Sequence, residues 1–278
     1  MAESSSPGDM VIVDIELSAK LERTEGLASA RFVESRARQS ASSAATWIQI
    51  AGGYAMFDGP ESPITQSFGL GLCEPVTQVD FENLESFFRG RNAPVVLEVS
   101  PLATAEMLQL LTERHYQPTE YSTVMCRRIG PSDRSITNPL HQVSVRTIAP
   151  EESQLWAQIS AEGWCEQPEF KEMIRDFGLI FASSVGATAM IAELAGEPIA
   201  AGLVFIENGV ALLAGASTIP TARKQGAQSA LLAARLQHAV QHGCELAMMC
   251  ALPGSPSQRN AQRNGFQIAY TRTKWKLA

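Results

Sequence analysis

The residues best suited to chemistry lie in Thr218-Ile219-Pro220-Thr221-Ala222-Arg223-Lys224-Gln225-Gly226-Ala227-Gln228-Ser229-Ala230-Leu231-Leu232. This segment reads as the end of a strand, a turn with one glycine and two cations, and the start of a helix. A helix N-terminus presents unsatisfied N–H groups and the positive end of its dipole. With Arg223 and Lys224 beside it, the turn suits a phosphate or pyrophosphate. Gly226 matters because a side chain there would hold the anion away from the backbone. His238, His242 and Cys244 superficially offer a zinc set. The helix carrying them buries Leu232, Leu236, Ala239 and Val240, however, and helical spacing puts His238 nearly opposite that face, so the histidines read as solvent-facing and no metal is expected. Cys250, near a strand end, reads as a small buried thiol.

The chain that positions this turn has 278 residues, enough for two domains. Hydrophobic residues at 45% against 18% charged favour packed layers over disorder. A formal charge of −7 would repel a phosphate backbone, so nucleic acid is not an expected partner. The five cysteines are scattered and form no CxxC, which suggests reduced thiols. The polar, acidic start lacks the pattern of a signal peptide, and no run of eighteen apolar residues occurs. The cytoplasm is the expected compartment, with no membrane partner.

After a tail of about ten residues, the spacing predicts one or two helices over 14–39 and a hairpin of Trp47–Ile50 with Tyr54–Phe57 around Gly52-Gly53. A short strand follows over 67–72, then a helix 81–88 with Asp80 as its N-cap, a strand 95–99, a helix 103–114 and a closing strand pair around 121–127. Turn residues at 129–141 mark a linker. Beyond it the pattern predicts a strand 143–148, helices within 151–177, strands 188–194, 199–206 and 210–219, a helix 228–242, a strand 246–251, a helix 257–264 and a strand 267–276. The two halves repeat each other: Tyr116-Gln117 before Tyr121 matches Phe266-Gln267 before Tyr270, at offsets of 150 and 149 positions.

The basic glycine turn, the Leu231-Leu232 pair, a following strand and a last helix ending in Gly265-Phe266 together resemble the GNAT superfamily of N-acetyltransferases. That family binds the pyrophosphate of acetyl-CoA with Arg/Gln-x-x-Gly-x-Gly/Ala. Arg223 and Gly226 match its first two fixed positions, and Gln228 departs from the third. As the first helical residue, Gln228 could point outward and leave its N–H available. The resemblance is specific over 143–278 and topological before that. Where the second half has its basic turn, the first has Glu74-Pro75-Val76-Thr77-Gln78-Val79-Asp80, whose carboxylate opposes phosphate. Residues 1–128 therefore read as a degenerate GNAT-like domain without a CoA site, residues 129–141 as a linker, and 142–278 as the acetyl-CoA-binding catalytic domain.

The resemblance implies two tandem α/β (α+β) domains, each a mixed, mostly antiparallel, splayed sheet flanked by helices. It implies acetyl transfer from acetyl-CoA, as cosubstrate, to a primary amine by direct attack. Cofactor-binding positions would be Ser217, Thr218 and Ile219 along the pantetheine arm, Arg223, Lys224, Gln225, Gly226, Ala227, Gln228 and Ser229 around the pyrophosphate, and Asn260 on the pantetheine amides. Many family members place a Tyr proton donor where this chain has Ala261. Ser257 is then a candidate donor to the thiolate, which can also take a proton from water. Glu162 and Glu166 are the candidate bases, with Glu193 behind them. The acceptor would be an amine-bearing small molecule or peptide, and the assembly a monomer or homodimer. The alternative is a non-catalytic acyl-CoA-binding sensor.

Overall fold

A computed structural model of the chain describes residues 11–40, 42–135, 142–164 and 170–278. The chain divides into two compact units, Met1–Arg127 with Met248–Ala278, and Arg128–Ala247. The terminal tail, part of the expected linker, Cys165 and Glu166 lie outside the described residues.

The first unit opens with α1 (Ile15–Gln39), a single helix capped by Asp14, whose carboxylate accepts from the Leu17 N–H at 2.8 Å. Gly26 lets an aromatic ring lie against its middle, since a Cβ there would sit 2.9 Å from Tyr54 Cδ2. Strands β1 (Thr46–Ile50) and β2 (Gly53–Phe57) form the expected hairpin. Ala51 and Gly52 both take positive φ at its turn, as a two-residue primed turn requires. Strand β3 is only Ser67–Phe68, shorter than the pattern suggests, because Gly69 and Gly71 turn the chain at positive φ.

Helix α2 (Gln78–Arg89) begins three residues earlier than expected. Thr77, not Asp80, is its N-cap: the Asp80 N–H donates to Thr77 Oγ1 at 3.3 Å, and the Thr77 N–H donates to Asp80 Oδ2 at 2.8 Å. This reciprocal box satisfies two end donors where a lone Asp cap would satisfy one. β4 (Val96–Val99), α3 (Ala105–Glu113) and β5 (Tyr116–Arg128) follow, and β5 is one long strand in place of the expected pair.

The last strand of the chain, β11 (Gln267–Leu277), lies between β4 and β5, antiparallel to both. The strand order in the first unit is β1-β2-β3-β4-β11-β5, antiparallel except for β3 with β4. The sequence pattern assigns 248–278 to the second domain, whereas the structure groups this segment with the first unit. Strands β5 and β11 are equivalents in the repeat, and they pair about a local two-fold. Ser122 faces Arg272, its own counterpart 150 positions on, and Gln117↔Lys276 is mirrored by Gln267↔Cys126.

Burial explains why β11 stays there. Arg272 is 2% exposed. It donates to Glu25 at 2.7 and 2.9 Å, to Glu98 at 3.0 Å and to Glu22 at 3.3 Å, while the Tyr270 hydroxyl donates to Glu22 at 2.9 Å. Breaking a buried pair by removing one partner costs about 3–5 kcal/mol. A one-residue slip of β11 would turn Arg272 to the other face, away from these carboxylates. Burial pushes Glu22 up to about 7 against the pull of Arg272. Burial also opposes ionisation of Glu25, but attraction and hydrogen bonds from Arg272 prevail and hold it below its usual value. Trp275 and Leu277 pack against the core formed by α2, α3 and the sheet, around Phe81, Phe88, Leu97 and Leu111.

The second unit contains β6 (Val143–Thr147), α4 (Ser153–Trp164), α5 (Lys171–Ala182), β7 (Ala187–Leu194), β8 (Glu197–Glu207), β9 (Val210–Thr218) and α6 (Ala227–Gln241). Its strands run β9-β8-β7-β6, all antiparallel. Trp156, Ile159, Ile191 and Leu203 centre its core. β10 (Leu246–Ala251) then carries the chain into the first unit, where α7 (Pro256–Arg263) precedes β11. The offset near 150 relates β3 to β9, α2 to α6, β4 to β10, α3 to α7 and β5 to β11. Among the described residues, no helix is long and apolar enough to cross a membrane.

The Glu22 carboxyl makes the fold pH-sensitive. Between its ordinary value of 4.5 and about 7, the folded chain holds a proton that the unfolded chain releases. Its contribution is therefore complete below the lower value and is lost as pH rises through the upper one. Glu22→Gln cannot ionise, so relative to wild type it should gain on the order of 1–3 kcal/mol between about pH 5 and about pH 8, read from urea unfolding. A difference that stays constant across this range would contradict the raised value.

Candidate functional site

The predicted turn sits between two backbone irregularities. In β9 the pairing jumps from Leu203↔Ala214 to Ala201↔Ser217, so Gly215 and Ala216 bulge opposite Gly202. Gly215 has φ +60, and a Cβ there would lie 3.2 Å from Leu203 Cδ2, so this bulge favours glycine. After β9, a 3-10 turn (Pro220–Ala222) leads to Arg223, then Lys224 at φ 65 and Gly226 at φ 85. The left-handed backbone at Lys224 costs roughly 1–2 kcal/mol, a strain of the kind found at functional loops.

Gly226 is the N-cap of α6, and no side chain caps the helix. Ala227 is its first residue, one before the expected Gln228. The regular helical bonding begins when the Ala230 N–H donates to Gly226 O at 3.0 Å, which leaves the preceding amides to face the loop. The equivalent helix α2 has the opposite arrangement, since its capping box takes up end donors and sets the Asp80 carboxylate among them.

A cleft of about 580 Å³ opens at this end of α6. It is lined by Ala216–Thr218 of β9, Ala222–Lys224 and Gly226–Ser229 of the turn and helix, and Gly163 and Trp164 of α4. Gly163 allows α4 to approach β9, because a Cβ there would stand 2.6 Å from Ser217 Oγ and 2.8 Å from Thr218 N. The Ser217 hydroxyl donates to Ser160 O at 3.1 Å, tying the same two elements together. Arg223 Nη2 reaches Gly163 O at 3.4 Å across the cleft mouth. Gln228 does not simply point outward: its Nε2 donates to Thr218 Oγ1 at 2.8 Å, linking the first turn of α6 to the end of β9.

The structure thus brings together Ser217, Thr218, Arg223, Lys224, Gly226, Ala227, Gln228 and Ser229. Gln225 is exposed and bonds back to Thr221 O at 3.4 Å, and Ile219 packs against the Trp156 core. Neither lines the cleft. Ser257 and Asn260 are exposed on α7, in the first unit. Glu162 precedes Gly163 on α4 and lies 3.6 Å from Lys171 Nζ. Glu193 is on β7, paired with Arg146 at 2.9 Å. Cys250 is half-buried, with its thiol donating to Glu25 at 3.1 Å. Burial first, then Glu25, push its pKa well above the usual thiol value, so it is a poor nucleophile. His238 is half-buried and stacks on the exposed His242, ring centres 4.0 Å apart, while Cys244 is buried. Among the described residues, no group of three His, Cys, Asp or Glu side chains could hold a metal ion.

Sequence reasoning missed Gly163 and Trp164. A glycine just before a helix end reads as a stop signal, and only the packing shows that it makes room for Ser217.

Residues 152–266 match the model of the Acetyltransferase (GNAT) family. A GCN5-related N-acetyltransferase from Kribbella flavida is 17% identical and superposes with a TM-score of 0.63, covering 89% of this chain and 95% of that one. A tandem GNAT protein from the clavulanic acid biosynthesis pathway is 13% identical with a TM-score of 0.59, covering 96% of this chain and 97% of its own. No curated protein sequence matches the chain. At these identities the solved structures share the fold, and the second shares its tandem organisation. Over residues 152–266 the chain is thus similar to the acetyltransferases of the GNAT family, and its fold is shared with them.

Proposed function

We propose that the second unit binds acetyl-CoA at the turn before α6 and that the protein transfers the acetyl group to a primary amine. The observation that carries this reading is the uncapped, glycine-opened N-terminus of α6 facing a cleft of about 580 Å³, where α2 has a capping box. The amides of Gly226–Ser229, with Arg223 and Lys224, would hold the pyrophosphate. Ser217 and Thr218, which line the cleft, would run along the pantetheine arm. The first unit, with Asp80 at the matching helix end, would have no such site.

In the reaction the amine attacks the thioester carbonyl, the C–N bond forms, the C–S bond breaks, and the leaving thiolate takes up a proton. Water can supply that proton. Glu162, next to the cleft residue Gly163, would take the proton the amine loses, with Glu166 as the other candidate. A non-catalytic acyl-CoA-binding role is the second reading. It is favoured by Ala261, 1% exposed and without a donor, where many family members place a Tyr.

Calorimetric titration with acetyl-CoA tests the site. One-to-one binding is expected, lost in Gly226→Glu, which sets a carboxylate in the anion turn and a side chain on a positive-φ position. Equal binding by this variant would overturn the placement of the pyrophosphate. Thiol release across a panel of primary amines separates the two readings, since a sensor releases none with any acceptor.

A further inference from the structure

Arg235, on α6, is 2% exposed and has no carboxylate partner among the described residues. Its guanidinium donates only to backbone carbonyls: Leu231 at 3.1 Å, one turn back on its own helix, and Leu203 and Ala214 at 3.4 Å each. Leu203 and Ala214 are the last regular pair before the β9 bulge. The guanidinium also lies against Gly202, the one residue opposite the bulge, where a Cβ would meet its Cζ at 3.4 Å. The Gly202 carbonyl accepts from Trp156 Nε1 at 3.3 Å. Carbonyls around the bulge are thus held by side chains from α6 and α4.

A buried cation without a counter-charge is costly, and burial pulls the Arg235 guanidinium down to about 10. An apolar side chain of similar volume would fill the space without that cost. Stability alone therefore gives no reason for an arginine here.

We propose that Arg235 is a positioning residue: its carbonyl-bound guanidinium fixes the β9 bulge, and so sets where Ala216, Ser217 and Thr218 line the acyl-CoA cleft. This rests on the acyl-CoA reading above. The bulge borders the part of the cleft assigned to the pantetheine arm, whereas the nucleotide end is assigned to the α6 turn. Arg235 therefore governs binding of the arm and not of the nucleotide.

The test compares wild type, Arg235→Met and Arg235→Lys by titration with acetyl-CoA and with its nucleotide half, adenosine 3′-phosphate 5′-diphosphate. Arg235→Met is expected to keep an equal or higher urea midpoint, lose about tenfold or more in acetyl-CoA affinity and keep its affinity for the nucleotide. Arg235→Lys should recover part of the loss. Equal losses for both ligands, or none for either, would overturn the positioning role. If wild type binds neither ligand, the acyl-CoA reading fails instead. Amide exchange without ligand keeps the bulge claim separate. Exchange over Gly215–Ser217 should be about tenfold faster in Arg235→Met, or in Arg235→Lys if the Met variant does not fold. Unchanged exchange there would overturn the claim whatever the ligand results.

Discussion

The buried charge of Arg272 constrains the fold of the first unit. A guanidinium withdrawn from water has to find its carboxylates, and Glu22, Glu25 and Glu98 belong to α1 and β4. Strand β11 therefore lies where Arg272 can reach them, between β4 and β5, and the last segment of the chain completes the sheet that the first segment begins. The local two-fold between β5 and β11 follows from the same pairing, because equivalent strands of a repeat meet at their own midpoint.

Both halves share an order of elements, and local chemistry decides which carries the proposed function. At one helix end Thr77 and Asp80 take up backbone donors in a capping box. At the equivalent end the chain supplies Gly226, with the cations Arg223 and Lys224 in the turn before it, and no side-chain cap. The buried arginines Arg235 and Arg272 divide in a similar way. Arg272 is matched by carboxylates and serves register, while among the described residues Arg235 is matched by carbonyl dipoles, one on its own helix and two beside the β9 bulge.

Much of this is legible in the sequence because local rules govern it. Gly52 marks the β1–β2 turn, continuous apolar runs mark β7 to β10 nearly residue for residue, and the basic glycine turn stands where the cleft opens. The misses come from long-range or reciprocal interactions. Nothing near Arg272 announces partners some 250 positions away, so sequence alone groups β11 with its chain neighbours. Asp80 has the side chain of a cap, yet Thr77 shares the role and takes the cap position. Gln228 breaks the family signature on paper, but its amide reaches Thr218 and ties the turn to the strand.

The most direct measurement is a crystal structure of the protein grown with saturating acetyl-CoA. The account predicts pyrophosphate oxygens within hydrogen-bonding distance of the backbone amides of Gly226–Ser229, with the acyl arm running along Ala216–Thr218. A pyrophosphate bound at the N-terminus of α2, or acetyl-CoA seated away from α6, would contradict it.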